Sequence, residues 1–186
     1  MSLDLKDIET LYRTAGTAQY GAEAVSQEQH ALQCAQLATQ AGSSPALVAA
    51  ALLHDLGHLA APAQHPARSR NDLHEFVALP FLRGLFHAAV LEPIRLHVEA
   101  KRYLCAVEPG YWSVLSPASQ RSLALQGGPF NTLQMQDFLA RPHAADAVAL
   151  RRWDDAAKDP AAVTPGWAHF RPVLAQVIMA RSQEPV

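Results

Sequence analysis

The sequence lacks long apolar runs, clusters of basic residues and cysteine-rich stretches, and each absence excludes a class of protein. Because no apolar run approaches the roughly 20 residues that cross a bilayer, we expect no membrane span. Lys and Arg number 15 against 17 Asp and Glu, without a basic stripe, so neither nucleic acid nor a membrane surface is expected as a partner. The two cysteines, Cys34 and Cys105, lie in apolar helical patterns, which favours buried, reduced thiols in a cytoplasmic protein.

Strand patterns are also missing, whereas helix signals recur along the chain. Ser44-Pro45 and Ser116-Pro117 each combine a capping serine with a proline suited to the first helical position. Gly42 and the pair Gly127-Gly128 follow helical runs, where a left-handed residue commonly ends a helix. The sequence therefore predicts an all-α fold in which residues 1–186 form one compact domain.

Prolines and polar residues predict where several helices begin and end. Residues 58–71 are rich in Pro, Ala, Gln and Arg and are expected to form a loop. Asp72 with Glu75 resembles a capping box for the following helix, which Pro80 should kink or end early. We expect the next helix to begin at Glu92-Pro93, with the proline in its first turn.

Polar residues interrupt an apolar helical run in AALLHDLGHLA, residues 50–60. A charged Asp55 beside His54 is costly to bury there unless it is paired or binds a metal. Imidazoles suit Fe, Zn, Mn or Ni, and a carboxylate can bridge two ions. A lone helical histidine is more often a surface residue or a satisfied core residue, so the metal hypothesis depends on the whole set of candidates: His30, His54, Asp55, His74, His97 and Asp154.

The order of these residues resembles the HD superfamily, an all-α metal-binding fold best known for phosphohydrolases. His74 in LHEFVALPFL and His97 in RLHVEAKRYL match the additional ligands of its dinuclear subgroup. The resemblance implies two metal ions that share Asp55 as a bridge. The implied ligands are His30, His54, Asp55 and Asp154 for one ion, and Asp55, His74 and His97 for the other. With only two carboxylates the site stays strongly positive and should attract an anion.

Side chains near these ligands are candidates for holding that anion. Lys101 and Arg151 each share a helical face with one of the candidate ligands. Ser119 and Ser122 share a face near the start of another helix, where hydroxyls and unpaired N–H groups favour an anion. A solvated lysine and a surface ion pair are the alternative interpretations of Lys101 and Arg151.

Four stretches together resemble the PhnZ-type phosphonate-cleaving diiron oxygenases of the HD superfamily: YGAEAVSQEQHALQCA, HVEAKRYL, LSPASQRSLALQGGP and LRRWDD. The resemblance covers about residues 20–167. It implies that Tyr20 and Glu23 form a lid segment, that Glu23 pairs with a substrate ammonium, and that His58 lies near the O2-binding side. The implied substrate-binding residues are Glu23, Lys101, Ser119, Ser122, Gln126 and Arg151, and the implied catalytic residues are Tyr20, His58 and Lys101.

The same resemblance implies a mixed-valent Fe(II)/Fe(III) pair with O2 as cosubstrate. The expected reaction is oxidative cleavage of the C–P bond of a 1-hydroxy-2-aminoethylphosphonate-like substrate, with release of phosphate and glycine or an N-methylated glycine. A small anionic or zwitterionic organophosphonate is therefore the expected partner. Two alternatives stay open: a metal-dependent phosphohydrolase acting on a phosphomonoester or nucleotide, and a degenerate HD domain that only binds a ligand or partner.

Overall fold

The computed structural model describes residues 3–20, 23–60 and 73–179, and in these ranges the chain is built from helices. The backbone forms isolated β-bridges at two places, between Gln19 and Ser26 and between Phe86 and Ile178, and no strand is found among the described residues. The predicted all-α fold is confirmed. The helices are α1 (Leu5–Thr14), α2 (Gln27–Gln40), α3 (Pro45–Leu53), α4 (Leu56–Ala60), α5 (His74–Val77), α6 (Leu79–Leu82), α7 (Ala88–Val107), α8 (Tyr111–Val114), α9 (Pro117–Leu125), α10 (Thr132–Leu139), α11 (Ala144–Ala156) and α12 (Trp167–Val177), with a 3-10 turn at Ala15–Thr17.

Side-chain caps fix the starts of the helices that were clearest in the sequence. Ser44 accepts a hydrogen bond from the backbone N–H of Leu47 at the start of α3, and Ser116 accepts one from Ser119 at the start of α9. Gly127, just beyond α9, has a φ of +96°, a left-handed conformation that glycine adopts without steric cost. These caps hold α9, and with it both candidate serines, in a defined position.

Two predictions around the His-Asp pair need correction. Residues 58–60 belong to α4 and are helical, whereas a loop was expected; the rest of that predicted loop lies outside the described residues. α5 begins at His74 after Leu73, which is left-handed with a φ of +52° and caps no N–H with its side chain. The predicted capping box depends on Asp72, which also lies outside the described residues. Pro80 acts as expected, because the helix after His74 is divided into α5 and α6.

The predicted start of α7 at Glu92-Pro93 is wrong. The helix begins at Ala88 with His87 as its N-cap, and Pro93 lies inside it. Pro93 has no N–H to donate to the carbonyl of Ala89, but this loss falls within the first two turns and the helix continues.

The prediction of two buried thiols holds for Cys34 only, since Cys105 is half-buried; both are free cysteines.

Four helices pack around α3 in the middle of the molecule. α3 is apolar on all faces and buried, as its composition requires, and it packs against α2, α7, α11 and α12. α11 also packs against α2 and α7. As a result, residues from distant parts of the sequence face one another where α2, α3, α7 and α11 meet. Within the described part of the chain, no helix has both the length and the apolar character needed to cross a membrane.

Candidate metal centre and adjoining anion pocket

The predicted metal ligands converge in the core. His30 lies on α2, His54 caps the end of α3, His97 lies on α7 and Asp154 lies on α11. His30 and His54 are fully buried, and His97 and Asp154 are at most 2% exposed. Buried imidazoles and carboxylates are costly unless they are paired or bind a cation, so this cluster indicates a site and not ordinary core packing.

One group of ligand atoms gathers around His30. Its Nε2 lies 3.3 Å from Nε2 of His54, 3.4 Å from Oδ1 of Asp154 and 3.6 Å from Oδ2 of Asp55. Nε2 of His54 is also 3.5 Å from the same Oδ2 of Asp55. The structure thus brings together all four residues that the sequence assigned to the first ion.

A second group gathers around His97. Its Nε2 lies 3.0 Å from Nε2 of His74, and these two atoms lie 3.8 Å and 3.4 Å, respectively, from Oδ1 of Asp55. Asp55 therefore presents one carboxylate oxygen to each group, which is the arrangement expected of a carboxylate that bridges two ions.

The histidine rings are oriented by the backbone. In three of them, Nδ1 lies close to a main-chain carbonyl oxygen: His30 to Ala157 (2.9 Å), His54 to Ala51 (2.9 Å) and His97 to Ile94 (2.7 Å). A carbonyl only accepts, so Nδ1 of each ring carries a proton and its Nε2 is directed into the cluster. In the first group, the two Nε2 atoms face each other at 3.3 Å, so either a proton or a metal cation must lie between them.

The protonation states also fit metal binding. Burial alone would raise the pKa of Asp55, but the surrounding histidines, His54 and His58 foremost, hold it well below its usual range. Burial lowers the pKa of His97, and His74 adds to the effect, so the ring stays neutral. Asp55 Oδ2 is buried and has no hydrogen-bond partner among the described residues. An ionised carboxylate, neutral imidazoles and an unsatisfied oxygen are what a divalent or trivalent ion requires.

Tyr20 and His58 flank the two groups of candidate ligands. The Tyr20 ring stacks on His30 with centroids 4.0 Å apart, and burial together with the charge of Asp55 raises the pKa of its hydroxyl. His58 stacks on His74 at 4.1 Å and meets the Tyr20 ring edge-on at 6.4 Å. Both rings therefore lie beside the candidate metal ligands.

A candidate anion pocket adjoins this cluster. Lys101 is 2% exposed, and its ammonium donates to the hydroxyl of Ser122 at 2.6 Å. Ser122 donates to the carbonyl of Ser119 at 3.1 Å, and Nη2 of Arg151 reaches the Ser119 hydroxyl at 3.4 Å. Gln126 ends the same helix, and its Oε1 is buried without a hydrogen-bond partner among the described residues. These contacts connect four of the six implied substrate-binding residues: Lys101, Ser119, Ser122 and Arg151.

Arg151 connects the pocket to the metal cluster. Its Nη1 lies 2.8 Å from Oδ2 of Asp154, while its other nitrogens pair with Asp155, which also accepts a hydrogen bond from Tyr111. Burial would lower the pKa of Arg151, but these two aspartates raise it well above its usual range. The guanidinium is therefore a fixed, permanent charge between an Asp ligand and a hydroxyl of the pocket.

Sequence reasoning missed two residues at the site. Cys34 places its sulfur 3.8 Å from Nε2 of His30. Its position one helical turn after His30 is the sequence feature that could have indicated this contact. Lys158 places its ammonium 3.5 Å from the Ser119 hydroxyl and 3.7 Å from Oε1 of Glu23. Lys158 lies after the end of α11, so helical spacing from the candidate ligand Asp154 could not predict its position.

The pH dependence of substrate binding should reflect Lys101. Burial, followed by the charge of Arg151, lowers the pKa of Lys101 to about 7, although Asp154, Asp155 and Cys105 act in the opposite direction. Only the ammonium form attracts an anion, so kcat/KM should fall above pH 7 with a limiting slope of about tenfold per pH unit. The profile should be measured between about pH 6 and pH 9.

The control for this pH effect is Lys101→Arg, which stays charged throughout and should remove the break in the profile. Because a bound anion stabilises the ammonium, the wild-type break should appear in KM more than in kcat. A wild-type kcat/KM that is flat across this range would contradict the role of Lys101.

Comparison with known proteins defines the class of this fold and site. Residues 28–126 match the HD domain family, and the chain belongs to that family. The match includes every predicted ligand except Asp154.

Two relatives of the chain are phosphonate dioxygenases. The chain is 45% identical over 139 residues to hydroxymethylphosphonate dioxygenase of Gimesia maris, covering 73% of this chain and 69% of that protein. It is 34% identical over 172 residues to the glycine-betaine-forming 1-hydroxy-2-(trimethylamino)ethylphosphonate dioxygenase of Leisingera caerulea, covering 90% of this chain and 87% of that protein. An uncharacterized protein of Acanthamoeba polyphaga mimivirus is 32% identical over 167 residues, covering 83% and 73%. The predicted resemblance to phosphonate-cleaving oxygenases of the HD superfamily is confirmed.

Proposed function

We propose that this protein is an O2-dependent oxygenase that cleaves the C–P bond of a 1-hydroxyphosphonate with the help of a mixed-valent diiron centre. The proposal rests on two contacts of Arg151. Its guanidinium contacts Asp154 on one side and the Ser119 hydroxyl on the other. A phosphonate held at Ser119 would therefore lie next to the metal cluster. The dioxygenase relatives favour oxidation over the hydrolytic alternative.

In this proposal, the two ions are held by the two groups of ligand atoms that share Asp55. When bound, the iron pair would supply the redox chemistry with O2 that breaks the C–P bond. The ligands are the six residues predicted from the sequence: His30, His54, Asp55, His74, His97 and Asp154.

The remaining residues bind and orient the substrate. Lys101 and Arg151 neutralise the phosphonate, and Ser119 and Ser122 fix its oxygens through hydrogen bonds. Tyr20 covers His30 and excludes water from the metal cluster, while His58 can hold or move a proton at Nε2 beside the substrate.

The substrate class follows from the charge of the pocket. Two cations and two hydroxyls suit a phosphonate, and the Glu23 carboxylate, 3.7 Å from the Lys158 ammonium, would suit an ammonium on the same molecule. The sequence-based expectation of a 2-amino-1-hydroxyethylphosphonate-like substrate is one member of the class, and hydroxymethylphosphonate is a smaller one. A cytoplasmic location and the lack of nucleic-acid or membrane partners stay predictions from the sequence.

The proposal is tested by following O2 and phosphate together. The protein is loaded anaerobically with iron and offered hydroxymethylphosphonate, 2-amino-1-hydroxyethylphosphonate and its N-methylated forms. Oxidation of a 1-hydroxyphosphonate to a carboxylic acid and phosphate consumes one O2 for each phosphate released, so the two rates should be equal.

A matched variant, Lys101→Met, keeps the metal ligands and should bind iron normally while its KM for phosphonate rises. Phosphate release from phosphomonoesters under argon, without O2 uptake on any hydroxyphosphonate, would establish a phosphohydrolase and overturn the proposal.

A further inference from the structure

Lys158 is fixed in place by bonds on both sides of it. The preceding carbonyl, of Ala157, accepts the Nδ1 proton of His30 at 2.9 Å. The following residue, Asp159, exchanges two hydrogen bonds with the side chain of Gln33, at 2.8 Å and 3.1 Å. Since His30 and Gln33 both lie on α2, the backbone of Lys158 is tied to the helix that carries a candidate metal ligand.

The Lys158 ammonium lies between Glu23 and Ser119. It is 3.7 Å from Oε1 of Glu23 and 3.5 Å from the hydroxyl of Ser119, and its side chain is 13% exposed. The Glu23 backbone is itself held by Gln19, whose side-chain amide donates to the Glu23 carbonyl at 2.9 Å. The carboxylate of Glu23 is thus directed toward a cation supplied by the protein itself.

The other cations at the pocket have different partners. Arg151 pairs with Asp154 and Asp155, and Lys101 donates to Ser122. Lys158 is the one of these three cations that the structure pairs with Glu23. A partly buried carboxylate without a cation near a bound phosphonate would be strongly disfavoured by like-charge repulsion.

We propose that Lys158 is an internal counter-ion for Glu23, taking the place that a substrate ammonium would occupy, so that the pocket accepts 1-hydroxyphosphonates without an amine. This inference rests on the proposed function and assigns to Lys158 the selection between amine-free and zwitterionic substrates. A substrate without an amine leaves the Glu23–Lys158 pair intact, whereas a substrate ammonium competes with Lys158 for Glu23. Lys158 therefore acts on specificity through Glu23.

The test compares two substrates in wild-type protein and Lys158→Met, which keeps the length of the side chain and removes its charge. In the variant, hydroxymethylphosphonate meets an unpaired Glu23, whereas 2-amino-1-hydroxyethylphosphonate brings its own ammonium. The ratio of kcat/KM for the amino substrate to that for hydroxymethylphosphonate should therefore rise at least about tenfold. An unchanged ratio, in which kcat/KM falls by the same factor for both substrates, would overturn the proposal.

Two further variants separate a counter-ion from a structural residue. Glu23→Gln with Lys158→Met removes both charges and should restore much of the kcat/KM for hydroxymethylphosphonate that Lys158→Met alone loses. Glu23→Gln alone should lower kcat/KM more for the amino substrate than for hydroxymethylphosphonate. Failure of the double variant to recover would show that Lys158 serves the phosphonate itself and would refute the counter-ion role.

Binding measured by calorimetry under argon keeps this test distinct from that of the proposed function. If no hydroxyphosphonate is oxidised by the wild-type protein, the proposed function fails, while the ratio of the two dissociation constants still reports on Lys158. That ratio should shift in Lys158→Met in the same direction as the ratio of kcat/KM. An unaltered ratio of dissociation constants would contradict the inference.

Discussion

In the proposed diiron oxygenase, replacing Asp55 by alanine is expected to abolish activity and to reduce the bound iron from two ions per chain to at most one. Asp55 presents Oδ2 to His30 and His54 and Oδ1 to His74 and His97, so its removal takes a ligand from both groups at once. The loss in kcat should exceed the roughly 10²–10³-fold that follows removal of a single hydrogen-bond donor to a transition state.

Iron content measured by elemental analysis and phosphate release measured with O2 present would check this result. Asp55→Asn keeps the shape of the side chain and removes its charge, so it should lose activity as well. Asp137→Ala, at an exposed position on α10, is the matched control and should leave both iron content and activity unchanged. Two irons per chain in Asp55→Ala would contradict the bridging role.

Replacing Gly57 by alanine is expected to destabilise the protein and to displace the second group of ligands. A Cβ at this position would overlap the carbonyl oxygen of His74 and lie 2.8 Å from its carbonyl carbon. These are backbone atoms that cannot rotate away, so α4 and α5 must move apart. Alanine would favour the helix by up to about 1 kcal/mol through its intrinsic propensity. Overpacking costs about 1–3 kcal/mol and decides the sign.

The measurements are the free energy of unfolding in urea and the iron content. Because His74 supplies Nε2 to the second group, we expect weaker binding of one ion together with the lower stability. Gly166→Ala is the control, since a Cβ there meets no atom within 4 Å and its φ of −83° suits any residue. Equal stability of Gly57→Ala and wild type would show that α4 and α5 are not in close contact.

Some of the fold could be predicted because several helices begin at local sequence signals. Ser44 and Ser116 cap the helices that they were expected to cap, and Pro80 divides a helix as expected. The start of α7 was predicted wrongly because the sequence does not show whether a proline near the start of a helix is its first residue or its sixth. That residues 1–186 form one domain stays a prediction.

The candidate site was predictable as a set of residues and not as a geometry. The order of histidines and aspartates and the flanking Lys101 and Arg151 were visible in the sequence because family motifs are linear. Lys158 was not visible, since its contact with Glu23 joins two segments far apart in the chain. Cys34 was read as core packing, although it lies one turn from His30.

The sequence by itself therefore determined the all-α fold and predicted the ligand types and an anionic substrate, because periodicity, caps and motif order are local properties. The tertiary structure decided which oxygen of Asp55 faces which histidines, and which nitrogen of each ring points inward. Those features depend on how α2, α3, α7 and α11 pack, since packing brings the Ala157 carbonyl to His30 and the Lys158 ammonium to Glu23.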